Sequence, residues 1–178
     1  LFKYSKYSWE GVPIICSNMD TIGTIDMYNS LSKNKIITCF HKRIDVGEII
    51  ENKCDSNYFM LSTGITEIDY DNLCNNINKI ELEKMTVKFI CIDVANGYMA
   101  KLIDFCKKVR NNFPDKIIIA GNVVTRELVE ELIINGKVDI VKIGIGSGAV
   151  CTTRLQTGVG MPQFSSVIEC ADAAHGLG

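Results

Sequence analysis

Six short apolar segments recur along the chain at intervals of roughly two to three dozen residues, separated by more polar sequence. Each segment is continuously apolar rather than alternating, which is typical of strands that are covered on both faces. We therefore predict six buried β-strands within VPIICSN, KIITCF, YFMLSTG, VKFICIDVA, KIIIAGN and DIVKIGIG.

The sequence between these segments has helical periodicity. Residues 98–113 place apolar side chains on one helical face and basic side chains, Arg110 among them, on the opposite face. A second helix is expected to follow Thr125 as its N-cap and to end near Asn135, and residues 69–84 are predicted to form a polar-faced surface helix. Strands that alternate with helices over short loops indicate a parallel sheet, either open and doubly wound or closed as a barrel.

Polar residues follow several successive strands: Asn18, Asp20, His41, Lys42, Thr63, Asp93, Asn96, Asn122 and Cys151. A site assembled from many strand ends is typical of the (β/α)₈ barrel. A doubly wound dinucleotide fold would place G-x-G-x-x-G after its first strand, where this chain has SNMDTIGT. We predict an α/β fold, a (β/α)₈ TIM barrel of which the chain supplies about six βα units. Residues 1–178 would form a single catalytic domain, the N-terminal and central part of that barrel.

The composition is that of an ordinary globular protein, with 47% hydrophobic residues and a formal net charge of -2. This balance favours neither a nucleic-acid partner nor a membrane partner. Lys88, Asp93 and Lys142 interrupt the longest apolar runs, so no membrane span is expected. The eight cysteines are widely spaced and include no C-x-x-C pair, which argues against structural zinc and against a disulfide framework. We expect a reducing, cytoplasmic location.

Cys151 differs from the other cysteines in its surroundings. It lies in the stretch VKIGIGSGAVCTTRLQTGVGMPQ, on a glycine-rich loop that follows the sixth predicted strand. Packing gains nothing from a thiol in such a loop. Five other cysteines fall within apolar runs and are predicted to act as small packing residues: Cys16, Cys39, Cys91, Cys106 and Cys170.

Several motifs together resemble those of the GMP reductases, which share a superfamily with the IMP dehydrogenases. These motifs are IDVANGY, AGNVVT, KIGIGSGAVCTTR followed by TGVGMPQ, and IECADAAHGL. The Cys-Thr-Thr-Arg loop marks the superfamily, whereas DVANGY and ECADAAHGL favour the reductases. Dehydrogenases commonly insert a regulatory domain after the second strand, and the sequence after Lys42 leaves no room for one.

The resemblance implies an NADPH-dependent oxidoreductase of purine nucleotide metabolism, with GMP and IMP as its small-molecule ligands. Cys151 would add to C2 of the purine and give a covalent thioimidate that accepts hydride. Thr153 would transfer a proton at the departing amine. Because a threonine hydroxyl is a poor acid or base, a carboxylate must relay that proton, and the family's glutamate for this step is expected outside these 178 residues.

The same resemblance implies where NADPH and a potassium ion bind. Lys42 would offer its ammonium group to a phosphate of the dinucleotide. The other implied dinucleotide contacts are Asp93, Val94, Ala95, Ile145 and Gly146. Loop carbonyls suit a large cation, and the implied potassium site comprises Gly146, Gly148, Cys151 and Arg154. A homotetramer is the implied assembly.

Two loop positions depart from the family pattern. Ser147 stands where the family usually has proline, and Ala149 stands where it usually has a serine close to the nucleotide phosphate. Loss of that hydrogen bond would cost about 1.5–3 kcal/mol unless another donor replaces it. Two alternatives to a reductase stay open at this point: an IMP dehydrogenase without its regulatory domain, and a non-catalytic nucleotide-binding barrel fragment.

Overall fold

The structure, a computed structural model, describes residues 2–177 and contains six β-strands within that range. The strands are β1 (Ile15–Cys16), β2 (Ile37–Phe40), β3 (Phe59–Thr63), β4 (Phe89–Asp93), β5 (Ile117–Val123) and β6 (Ile140–Ile143). They are ordered β1-β2-β3-β4-β5-β6, and β1 with β2, β2 with β3, and β5 with β6 pair in parallel. Five strands lie within the predicted apolar segments, and β5 extends one residue beyond its segment, to Val123. Strands β2 to β5 are largely buried, as predicted, whereas Ile15 of β1 is 43% exposed and β6 is half-buried throughout. The predicted fold class is confirmed.

Seven α-helices are present among the same residues: α1 (Ile25–Leu31), α2 (Val46–Glu51), α3 (Glu67–Leu82), α4 (Ala100–Asn112), α5 (Arg126–Ile134), α6 (Thr153–Thr157) and α7 (Gln163–Gly176). The three helices that periodicity predicted correspond to α3, α4 and α5. Thr125 is the N-cap residue of α5, as predicted, but its side chain makes no capping hydrogen bond. Its Oγ1 instead bonds to the hydroxyl of Tyr98 at 3.0 Å.

Residue contacts divide the described chain into two compact units, and the division falls within β4. The first unit comprises Phe2 and Lys6–Cys91, and the second comprises Lys3–Ser5 and residues 92–177. The assignment of residues 1–178 to a single catalytic domain stays a prediction.

Aromatic side chains form the centre of the first unit. Phe40 on β2 is fully buried, and its ring centroid lies 5.9 Å from Tyr28 on α1 and 5.8 Å from Phe59 on β3. The hydroxyl of Tyr28 accepts a hydrogen bond from the N–H of Asp55 at 2.6 Å. Aromatic pairs of this kind add to the free energy gained by burying apolar area, so they fasten the carboxyl end of β2 to α1 and to the amino end of β3.

Strand β5 forms the centre of the second unit. Four consecutive residues, Ile117 to Ala120, are buried on both faces of the strand. Such a strand has an uninterrupted apolar sequence, which is the pattern that predicted a strand in KIIIAGN.

Arg110 does not lie on an exposed face of α4, so its predicted position is wrong. It is 5% exposed, and its guanidinium pairs with the carboxylate of Asp139 at 2.6 Å. The same guanidinium donates to three backbone carbonyls, those of Pro114, Lys116 and Lys137. The other carboxylate oxygen of Asp139 accepts the N–H groups of Tyr4 and Ser5 at 2.8 and 3.2 Å. A buried cation is tolerated here because an anion and several acceptors surround it.

None of the eight cysteines forms a disulfide. Of the five cysteines predicted to act as packing residues, four are buried, and Cys16 is half-buried. Within residues 2–177, none of the helices has the length and the apolar character that crossing a membrane requires.

Candidate active site

The loop that leaves β6 turns tightly before it reaches α6. Gly144 and Gly146 have φ angles of 125° and 64°, which glycine adopts without steric cost. The N–H of Gly144 donates to the carbonyl of Val123 at 2.9 Å, and the N–H of Cys151 donates to the carbonyl of Gly148 at 3.0 Å. These bonds place Cys151, half-buried, two residues before the start of α6.

Hydrogen bonds at the start of α6 stabilise the thiolate form of Cys151. The hydroxyl of Thr153 has the largest effect, followed by the N–H of Thr153, and the charge of Arg154 and the N–H of Gly146 act in the same direction. The pKa of Cys151 therefore lies below that of an ordinary thiol. Burial has the opposite effect on Cys106, whose pKa it raises to about 12. Because the thiolate is the nucleophilic form, the lowered pKa favours nucleophilic reactivity at Cys151, and the raised pKa disfavours it at Cys106.

Replacing Thr153 by valine is expected to raise the pKa of Cys151, because a methyl group cannot donate a hydrogen bond to sulfur. The thiolate is populated above its pKa, so the alkylation rate rises with pH and the midpoint of that rise moves to higher pH in the variant. Iodoacetamide labelling of Cys151, followed by peptide mass spectrometry over a series of pH values, measures the midpoint. Thr153→Ser keeps a hydroxyl and should keep the wild-type profile. Identical profiles for Thr153→Val and wild type would contradict this account.

The residues predicted to hold potassium lie in the same loop and in the first turn of α6. The carbonyls of Gly148 and Arg154 accept the N–H groups of Cys151 and Gly158, each at 3.0 Å. A Cβ built on Gly146 would lie 3.1 Å from the Cβ of Arg154, so the two backbones approach closely. The set thus offers backbone oxygens from one compact loop, the donor type that a large monovalent cation takes.

Asp93, at the end of β4, forms an ion pair with Lys142 on β6, a partner that sequence reasoning missed. The two side chains are 33% and 30% exposed. Gly121 on β5 lies opposite Lys142 in the strand register, and a Cβ there would lie 2.6 Å from the Cβ of Lys142. The absence of a side chain at Gly121 therefore leaves room for the lysine. The sequence did contain a sign of this pair, namely a lysine inside an apolar strand segment. A partly buried ammonium group requires an anionic or polar partner.

The other predicted dinucleotide contacts of the second unit differ in exposure. Ala95 is exposed, and Val94 is half-exposed with its N–H and carbonyl both bonded to β5 at 2.9 Å. Ile145 is 2% exposed, and its carbonyl accepts the N–H of Met161 at 3.0 Å. The side chain of Ile145 is therefore buried. The roles of these residues in dinucleotide binding stay predictions.

Lys42 lies in the first unit, after β2, and is held by the start of α3. Its Nζ is 3.3 Å from Oδ1 of Asp69, and 52% of its side chain is exposed. Asp69 and Thr66 form a capping box: the Thr66 hydroxyl accepts the N–H of Asp69, and the carboxylate accepts the N–H of Thr66, both at 3.1 Å. Burial acts to raise the pKa of Asp69, but the bonds from Thr66 and the ammonium group of Lys42 outweigh it and lower that pKa. A fixed carboxylate thus orients Lys42.

A groove of about 490 Å³ runs beside the cysteine loop. Its lining comes from the loop, from α6 and from the segment before α7: Gly146, Ser147, Arg154, Leu155, Gly158, Gly160, Met161 and Pro162. The loop therefore contacts the chain that leads into α7 along one side and is open to solvent in this groove.

Successive parallel βα units define a barrel-type protein, and the loop after β6 carries a cysteine whose pKa is lowered. The chain belongs to the IMP dehydrogenase / GMP reductase domain family, whose family model matches residues 10–178. The resemblance drawn from the Cys-Thr-Thr-Arg loop and its flanking motifs is confirmed.

Curated relatives named GMP reductase match almost the whole chain. The protein of Buchnera aphidicola subsp. Acyrthosiphon pisum (strain Tuc7) is 55% identical over 181 residues, 99% of this chain and 50% of the relative. Those of Yersinia enterocolitica serotype O:8 / biotype 1B and Yersinia pestis (strain Pestoides F) are 52% and 50% identical over 182 residues, 99% of this chain and 51% of each relative. The chain thus spans about half the length of the curated relatives it matches.

Proposed function

We propose that this protein is a GMP reductase, which uses NADPH to convert GMP to IMP and ammonia. The observation that carries the proposal is the position of Cys151 on the glycine loop, with its sulfur beside the hydroxyl and N–H of Thr153. A nucleophile next to proton-bearing groups is what a covalent deamination needs. The names of relatives at 50–55% identity support the same reaction.

In the proposed reaction the thiolate of Cys151 adds to C2 of the guanine ring. The bond between C2 and the amino nitrogen breaks, and the nitrogen leaves as ammonia after gaining a proton, so that a covalent thioimidate remains. Thr153 adjoins the sulfur, where its hydroxyl passes on the proton that a carboxylate supplies. When bound, NADPH supplies the hydride that C2 gains. The C–S bond then breaks with its electron pair on sulfur, which restores the thiolate and releases IMP.

Two of the residues assigned to the dinucleotide, Asp93 and Lys42, fit it in charge and exposure. The carboxylate of Asp93 is one-third exposed, and carboxylates accept hydrogen bonds from ribose hydroxyls. The half-exposed ammonium group of Lys42 suits a phosphate. We propose that Asp93 binds NADPH together with Val94, Ala95, Ile145 and Gly146, all of the second unit. The phosphate contact of Lys42, in the first unit, is a separate proposal that rests on its charge and exposure alone.

The loop also fits a potassium ion. Because the guanidinium of Arg154 is cationic, only its carbonyl would bind the ion, beside the carbonyls of Gly146, Gly148 and Cys151. Oxygen ligands from one short loop would tie the cysteine turn to the start of α6. We propose this site as the resident cation site of the enzyme.

The nucleotide that is consumed tests the proposed function. In the complete protein, GMP and NADPH should yield IMP, ammonia and a fall in NADPH absorbance, whereas IMP and NAD should give no reaction. IMP-dependent NAD reduction without GMP turnover would overturn the proposal in favour of an IMP dehydrogenase. Nucleotide binding without either reaction would overturn it in favour of a non-catalytic barrel.

We further propose that the complete protein is a cytoplasmic homotetramer in which residues 1–178 belong to one catalytic domain. The family match, which runs through both compact units, supports the single domain. Light scattering coupled to size-exclusion chromatography measures the assembly, and a mass other than that of four chains would contradict the tetramer.

A further inference from the structure

Gln163, the first residue of α7, lies with its side-chain amide against the start of the cysteine loop. Its Oε1 accepts the hydroxyl of Ser147 at 2.9 Å, and its Nε2 donates to the carbonyl of Ile143 at 3.1 Å. A single amide group therefore bridges the last residue of β6 and the middle of the loop. Gly144 makes room for it, because a Cβ there would lie 3.1 Å from Cδ of Gln163.

Backbone contacts also join the segment before α7 to the cysteine loop. The N–H of Met161 donates to the carbonyl of Ile145 at 3.0 Å. A Cβ on Gly146 would lie 3.0 Å from the carbonyl oxygen of Val159 and 3.2 Å from the Cα of Gly160. The segment before α7 thus contacts the loop closely at Ile145 and Gly146.

We propose that Gln163 is a positioning residue for Cys151, which fastens the cysteine loop to the end of β6 through Ser147. The loop contains three glycines, at positions 144, 146 and 148, which have many conformations to lose and no side chains to hold them. Ser147 lies among these glycines, so the bridge from Gln163 acts where the loop most needs a restraint. Gln163 acts through the loop and does not touch the reacting atoms.

The assignment rests on the proposed function only in naming Cys151 as the nucleophile, because order in the loop is measurable without turnover. Gln163→Ala should speed amide hydrogen exchange at Met161 and at residues 144–151 by about fivefold, the effect of losing a typical hydrogen bond. Ser147→Ala should act in the same direction and more weakly, and Ser147→Thr, which keeps a hydroxyl, should restore the wild-type rate. In the double variant the two effects on the free energy of opening should be less than additive, because both substitutions remove the same hydrogen bond between Ser147 and Gln163.

Asn135→Ala is the matched control, since it removes an exposed amide that bonds to Glu131 on α5 and should leave the loop unchanged. Wild-type exchange in Gln163→Ala, or full additivity with Ser147→Ala, would overturn the proposal. If Gln163→Ala unfolds at a much lower temperature than wild type, the exchange rates of Ser147→Ala and Ser147→Thr test the proposal in its place. In the complete enzyme Gln163→Ala should lower kcat for GMP by a similar factor. A wild-type protein that does not reduce GMP would overturn the proposed function alone, because exchange still reports on Gln163.

Discussion

Replacing Asp139 by alanine is expected to lower the free energy of unfolding by about 3–5 kcal/mol. Its fully buried carboxylate pairs with the buried guanidinium of Arg110. It also accepts the N–H groups of Tyr4, Ser5 and Ile118 at 2.8, 3.2 and 3.0 Å. Alanine would leave the cation desolvated without its anion and would strip three backbone donors of their acceptor. Removal of one partner of a buried pair costs more than the pair itself contributes, because the remaining charge cannot regain water.

Urea unfolding followed by circular dichroism measures this loss. The matched control is Asp104→Ala, which removes an exposed carboxylate 3.6 Å from Lys107 on the same helix. Solvent screens that pair, so the control should change the free energy of unfolding by less than about 0.5 kcal/mol. Equal effects of the two substitutions would show that Asp139 does not stabilise the second unit as its contacts indicate.

Strands β2 to β5 were predictable because burial on both faces leaves a direct mark on the sequence. In β5 every residue from Ile117 to Ala120 is buried, so the segment carries no alternation, and its length and flanking polar residues separate it from a helix. Helix α5 was predictable for a related reason, since its periodic apolar residues end where Asn135 forms the C-cap. These signals are local in sequence, which is why they needed no knowledge of the fold.

The contacts of individual polar side chains were not predictable, because their partners are distant in sequence. Periodicity placed Arg110 on the polar face of α4, but Asp139, which follows α5, makes that position a buried one. Lys142 likewise pairs with Asp93 from another strand, and the pairing depends on the missing side chain of Gly121. The position of a residue in a helix or strand predicts which way its side chain points. The residue that it meets there depends on how other elements pack against that face.

In the candidate site, too, local sequence features were predictable and contacts between distant residues were not. Cys151 was identifiable from its glycine loop and neighbouring polar residues, because a thiol there contributes nothing to packing. Gln163 belongs to the same sequence motif, but its contact with Ser147 depends on how the segment before α7 folds back on the loop. Sequence therefore identified the candidate nucleophile, whereas the structure was needed to find the hydrogen bond between Ser147 and Gln163.

Replacing Cys151 by serine is expected to lower GMP reduction by a factor on the order of 10³ or more, as loss of a catalytic nucleophile does. A serine hydroxyl is far less acidic than a thiol, and the donors of Thr153 that stabilise a thiolate cannot ionise it at neutral pH. In the wild-type protein, acid quenching during turnover with GMP should trap a purine adduct on the peptide that contains Cys151. The serine variant should give none.

Cys74→Ser is the matched control, because Cys74 is a half-buried thiol on α3, outside the cysteine loop. It should keep both the adduct on Cys151 and the rate of ammonia release. Thr153→Val separates the two roles proposed for the loop, since it should slow ammonia release while Cys151 itself remains available to alkylation at high pH. Ammonia release that survives in Cys151→Ser would mean that another group attacks C2, and the chemistry would then have to be sought outside this loop.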